Sequence, residues 1–175
     1  PWSTPVPIGP PINTSYMHET GPSLSADGLE LYFALLDTSS VFSLWVTTRA
    51  SLSGPWTAPK KLPPLINNSN TVLNAGLSPD GLSLVFSSRR TGNVGNVDLW
   101  ISRRADLKAD WQPPVNLGNK VNTSKNDFAS QILADGKTML FSRDGKPYLT
   151  FTSKTGITTA LAPRGFPDNV REPWL

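Results

Sequence analysis

"LSPDGLSLVFSSRRTGNVGNVDLW", Leu77 to Trp100, decides the fold. Asp80-Gly81 lies between two apolar runs, a strong short-range hairpin signal. Gly accepts positive φ there, and Asp hydrogen-bonds its own local backbone. After the turn, Leu82, Leu84 and Phe86 fall on one side of an alternating strand. A Gly-rich loop follows, and then a second strand, "DLWISRR" (Asp98–Arg104). No segment of the chain carries a convincing helical period.

The same phrase occurs three times. "PSLSADGLELYF" (Pro22–Phe33) matches "AGLSPDGLSLVF" (Ala75–Phe86) and "SQILADGKTMLF" (Ser130–Phe141). The turn pairs are Asp27-Gly28, Asp80-Gly81 and Asp135-Gly136, spaced 53 and 55 residues apart. "PWSTPVPIGPPIN" (Pro1–Asn13), "PWTAPKKLPPLIN" (Pro55–Asn67) and "DWQPPVNLGNKVN" (Asp110–Asn122) repeat with tryptophans Trp2, Trp56 and Trp111, 54 and 55 apart. "SLWVTTR" (Ser43–Arg49) matches "DLWISRR", and "PYLTFTS" (Pro147–Ser153) is a degenerate copy. Three landmarks with one period mean repeat architecture.

Each unit reads as four short strands: a stub before the Asp-Gly turn, the alternating strand after it, the Trp-bearing strand, and a proline-rich fourth. Proline cannot donate to a ladder, so the fourth strand belongs at an edge. Four strands per unit, repeated, predict an all-β chain of β-propeller blades. The units span approximately 14–67, 68–122 and 123–170, and 171–175 is expected to open another. About three blades plus the first strand of a fourth do not close a ring. The expectation is therefore a segment of a larger propeller, or one completed by self-association. Trp45 and Trp100, at equivalent places, are expected to pack between blades, and Asp27, Asp80 and Asp135 to form turns rather than act as acids.

Composition narrows the function. The chain of 175 residues has a net charge of +3, dispersed, with no cysteine and one histidine, His18. The dispersed charge argues against nucleic-acid binding. The lone histidine excludes a multi-histidine metal centre within this chain, and no G-x-S-x-G nucleophile elbow occurs. No apolar run approaches the roughly 18 residues of a membrane span.

"LSPDGLSLVFSSRRTGNVGNVDLWISRR" resembles the TolB-type (WD40-like) propeller repeat, with its S-P-D-G turn, aliphatic-aromatic strand, Gly-rich loop and D-[LI]-[WY]-V strand. The first unit keeps "LSADG" and "SLWVTTR", and the third keeps "LADG" and "LFSRDG". The resemblance implies an extracytoplasmic bacterial protein, periplasmic or secreted. It leaves the function open, because the repeat serves in adaptors, sensors, lyases and peptidase-associated propellers alike.

The inter-blade loops, "INTSYMHET" (Ile12–Thr20), "INNSNTVLN" (Ile66–Asn74), "VNTSKNDFAS" (Val121–Ser130) and "FPDNVRE" (Phe166–Glu172), are rich in Asn, Ser, Thr and acids. They form the expected ligand-binding face, with Tyr16, His18, Glu19, Asn74, Asn126, Asp127, Arg171 and Glu172 as its candidates. Such loops suit a protein or saccharide partner, and their oxygens would also suit a Ca²⁺ ion. No other cofactor is expected. The primary reading is a non-catalytic binding or scaffold propeller. The alternative is a carbohydrate-active propeller enzyme, hydrolase or lyase-like, with Glu19 and Asp127 as acids at the channel mouth. Each unit also carries an Asn-x-Ser/Thr triplet, at Asn13, Asn67 and Asn122, which reads as one turn's chemistry copied with the blade rather than as a glycan acceptor.

Overall fold

In the computed structural model, which describes residues 2–14, 18–36, 38–68, 71–153 and 156–161 (the side chains of Ser130, Thr152, Ser153 and 156–161 aside), each Asp-Gly pair closes a hairpin. Gly28, Gly81 and Gly136 take φ of 74°, 71° and 63°, conformations that a side chain would strain. In the first two turns a serine staples the loop. Ser25 Oγ donates to Asp27 Oδ1 (2.6 Å) and accepts from Glu30 N (2.8 Å), and Ser78 does the same with Asp80 (2.5 Å) and Ser83 N (2.8 Å). In the third turn Leu133 stands in that place. Thr138 takes over from the far side, donating its hydroxyl to Asp135 Oδ2 at 2.5 Å. One turn geometry is thus reached by two side-chain solutions.

The hairpins build three antiparallel four-stranded sheets, each in sequential order. The first holds β1 (His18–Leu24), β2 (Glu30–Leu36), β3 (Phe42–Thr48) and β4 (Lys60–Lys61). The second holds β5 (Val72–Leu77), β6 (Ser83–Ser88), β7 (Asp98–Arg103) and β8 (Val115–Asn116). The third holds β9 (Asp127–Ile132), β10 (Thr138–Arg143), β11 (Lys146–Ser153) and β12 (Gly156–Leu161). No described residue is helical. β5 packs against β1 and β2, and β9 against β5 and β6, so the first strands of successive sheets are neighbours, as in propeller blades.

The seams between sheets form the core. Phe86, Leu84 and Trp100 of the second sheet meet Tyr32, Ala34 and Leu44 of the first. Phe141 and Met139 of the third meet Val85, Leu99 and Leu117 of the second. Phe33 and Leu31 of the first sheet point the other way, with Ile12, Trp45 and Trp56.

Three features differ from the sequence expectation. The first strands are longer than the stubs before the turns, because they begin inside the stretches read as loops. A β-bulge interrupts each one, between Thr20 and Ser23, between Leu73 and Gly76, and opposite Leu140/Phe141. A bulge breaks the period of two by which strands are recognised. The fourth strands β4 and β8 shrink to two paired residues, since the prolines around them cannot donate to β3 and β7. In the third sheet Tyr148, not Leu149, takes the tryptophan position: it pairs with Phe141 as Trp45 pairs with Phe33 and Trp100 with Phe86.

Candidate functional site

The inter-blade loops and the starts of the first strands lie at one end of the sheets, opposite the Asp-Gly turns. Tyr16, Arg171, Glu172 and the expected strand at 171–175 lie outside the described residues. His18 is exposed at the start of β1. Glu19 accepts from Thr14 N (3.1 Å) and Thr14 Oγ1 (2.7 Å). Asp127 repeats this with Thr123 N (2.9 Å) and Thr123 Oγ1 (3.3 Å), and adds an ion pair to Arg143 Nε at 2.6 Å. Asp127 is fully buried. The two acids stand on β1 and β9, with β5 between them. Each ties its own loop down by the backbone.

A third acid does comparable work. Asp98, also fully buried, accepts from Val94 N (2.6 Å), Gly95 N (2.9 Å) and Asn116 Nδ2 (2.8 Å), which folds the Gly-rich loop over the second sheet. Gly95 there lies so close to the Thr123 and Lys125 carbonyls that a Cβ would overlap both. Asn126 meets this loop through Asn96 Nδ2 (3.1 Å).

The triplet asparagines are clasps. Asn67 accepts from Leu44 N (2.8 Å) and donates to Leu44 O (2.9 Å), and Asn122 does the same with Leu99 N (2.9 Å) and Leu99 O (3.0 Å). A side-chain amide therefore mimics a strand beside β3 and β7. Asn122 is buried. Asn13 is exposed and bonds only Gly9 N (2.9 Å) among the described contacts, while Trp2 is fully exposed.

Two arginines, Arg90 buried and Arg143 half-buried, anchor the same loops. Arg90 donates to Ile66 O (2.5 Å) and lies 5.0 Å over both Phe86 and Trp100. Arg143 donates to Val121 O and lies over Phe141 and Tyr148. Burial pushes the Arg90 guanidinium down to about 10, which leaves it charged at neutral pH. The sequence reading missed both roles, because Arg90 follows Phe86 by four residues and Arg143 follows Phe141 by two.

Where the first strands converge, a cavity of about 280 Å³ opens, lined by Thr20, Gly21 and Pro22 of β1, Asn74 and Ala75 of β5, and Ala129 of β9. Its walls are the bulges. Asn74 holds φ of 52° and Gly21 φ of 58°. A Cβ on Gly21 would stand 3.1 Å from the Asn74 Cα, so glycine permits this approach. Asn74 is thus the candidate residue that reaches the central cavity, whereas Glu19 and Asp127 serve the loops around it. Among the described residues no three His, Cys, Asp or Glu side chains group as a metal would need, and no helix is long and apolar enough to cross a membrane.

No protein-family model and no curated protein matches the chain. Among solved structures it is similar to the crystal structure of TolB from Acinetobacter baumannii, with a TM-score of 0.54 and 21% identity over 82% of this chain. The chain spans 32% of that protein's length. At this identity the likeness shows the fold: all-β, TolB-like, built of four-stranded antiparallel sheets consistent with propeller blades.

Proposed function

We propose that this chain is a non-catalytic binding segment of an extracytoplasmic β-propeller, presenting its inter-blade loop face and central cavity to a macromolecular partner, in the first place a protein. The observation that carries this reading is the commitment of the acids. Asp98 spends both oxygens on loop backbone and Asp127 spends one on loop backbone and one on Arg143, while Glu19 holds the Thr14 N–H and hydroxyl with Oε1. A glycosidase needs one carboxyl to donate a proton and another free to attack or to activate water. A rigid face of anchored loops suits recognition instead. The TolB-like fold agrees with it.

A saccharide partner is the second reading, favoured by the Thr20 and Asn74 groups at the cavity. A completing blade belongs to the same proposal. Trp56 and Trp111 lie 4.5 and 4.6 Å beneath Arg49 and Arg104, and Asn67 and Asn122 clasp a third strand. Trp2 and Asn13 occupy the same repeat positions without those partners among the described residues. We read 2–13 as the fourth strand and clasp of a blade outside this chain, from a longer polypeptide or a second copy.

The experiment is calorimetry with soluble oligosaccharides alongside measurement of reducing-end release, on the chain and on Glu19→Gln. Binding without release, unchanged in Glu19→Gln, supports a saccharide partner, and neither binding nor release leaves the protein reading. Release that Glu19→Gln abolishes would overturn the non-catalytic reading.

A further inference from the structure

Both seams between sheets hold a cavity at the Asp-Gly end, and the one between the second and third sheets has an apolar lining of Ile101, Leu117, Ile132 and Met139. In the earlier seam Arg104 of the second sheet reaches Glu30 of the first (3.3 Å) and stacks on Trp111, whose edge meets Tyr32 at 6.4 Å. Strand register places Ser83 of the second sheet where Glu30 stands in the first. A space of about 100 Å³ lies at the Asp-Gly end of the later seam, the end opposite the loop face, and the earlier seam has one of about 140 Å³ beside Glu30 and Arg104.

One side chain in this space is out of pattern. Register aligns Thr150 with Thr47 and Ser102. Thr47 donates its hydroxyl to Thr57 O and Ser102 to Gln112 O, both at 2.5 Å. Thr150 Oγ1 lines the cavity, is 3% exposed as a residue, and has no hydrogen-bond partner. A buried hydroxyl without a partner is costly and calls for an explanation.

The rest of the lining says what would satisfy it. Ile101 and Leu117 of the second sheet and Ile132 and Met139 of the third form apolar walls. Arg103 and Lys137, both exposed, supply two cations. The one carboxylate lining it, Asp80, already accepts from Ser78 and from Leu82 N (2.9 Å). The space is somewhat smaller than the roughly 150 Å³ engineered cavity that holds benzene, which limits the guest to a few carbons.

We propose that this cavity binds a carboxylate carrying a small branched apolar body, with the body between the aliphatic walls, the carboxylate accepting from Thr150 and facing Arg103 and Lys137. A peptide ending in leucine, isoleucine or valine presents this chemistry, and so does a free branched short-chain acid. The site is independent of the loop-face reading.

The test is methyl NMR titration of the chain with N-acetyl-leucine, isovalerate and N-acetyl-leucinamide. N-acetyl-leucine is expected to shift the Met139, Ile101 and Ile132 methyl resonances and to bind about tenfold tighter than the amide, the worth of one charge-assisted contact. Arg103→Gln, on an exposed side chain, should erase that preference, and Thr150→Val should weaken binding while leaving the sheet intact. Isovalerate matching N-acetyl-leucine identifies a free acid as the source, and isovalerate failing identifies a peptide C-terminus. Equal binding of carboxylate and amide, or no shift up to about 10 mM, would overturn the proposal and leave a packing gap between blades.

Discussion

The clasp at Asn122 makes the sharpest quantitative prediction, because the chain carries its own control. Asn122→Ala removes three hydrogen bonds: from Leu99 N, to Leu99 O, and to Asn116 Oδ1 (2.8 Å). Two of the abandoned groups keep another partner. Leu99 O still accepts from Leu117 N, and Asn116 Oδ1 from Gly118 N. The Leu99 N–H does not, and Leu99 is completely buried. An orphaned buried donor costs about 1–3 kcal/mol, and each of the other two lost bonds roughly 0.5–1. The sum is about 2–5 kcal/mol, a large part of the roughly 5–15 kcal/mol that holds a domain together.

Asn13→Ala, at the same repeat position, loses one exposed bond and should cost about 0.5 kcal/mol or less. Urea unfolding followed by tryptophan fluorescence measures both. Equal midpoints for the two variants would refute the reasoning, since the cost would then owe nothing to the buried strand end that the amide completes.

Other consequences are as direct. Gly95→Ala forces a Cβ into the Thr123 and Lys125 carbonyls, so it should destabilise by more than about 2 kcal/mol, whereas Gly118→Ala, with open space around it, should cost only its positive-φ strain of about 1 kcal/mol; differential scanning calorimetry compares them. Arg143→Met strands the buried Asp127 carboxylate and should cost about 3–5 kcal/mol, much of it recovered in the double variant with Asp127→Asn, read as a double-mutant cycle in urea. Asp27, Asp80 and Asp135 are held below their ordinary value of 3.8, first by the hydroxyls of Ser25, Ser78 and Thr138. A depressed carboxyl stabilises the fold above its unfolded pKa and loses that contribution as pH falls through its folded one. The urea midpoint should therefore decline only below about pH 4, and Ser78→Ala should move the Asp80 titration, followed by carboxyl NMR, back toward its ordinary value.

The repeat made the architecture legible. Asp-Gly turns, Trp positions and the Trp-bearing strands recur with one period, and each is a local signal that survives without knowledge of tertiary contacts. The edge position of the proline-bearing strands was legible for the same reason, and their shortness followed from the missing N–H groups. The bulges were not legible. Gly21 and Asn74 share a backbone geometry but no residue type, and a bulge erases the alternation by which a strand announces itself.

The clasps stood in plain view as "IN", "IN" and "VN" before each inter-blade loop, yet an asparagine's partner 23 residues away is a tertiary fact. Read alone, each looked like a turn residue. Asp127 looked like a free acid for the same reason, since its arginine is 16 residues downstream on the next strand.

The claim that the loop face is a binding surface is tested most directly by photo-crosslinking in cells. The photoreactive residue p-benzoylphenylalanine would be placed at Asn96 on the loop face and, separately, at Lys108 beside the Asp-Gly turns, both exposed. The prediction is one defined protein captured from Asn96, displaced by excess chain lacking the probe, and none from Lys108. Capture from Lys108 alone, or equal and undisplaced capture from both, would contradict it.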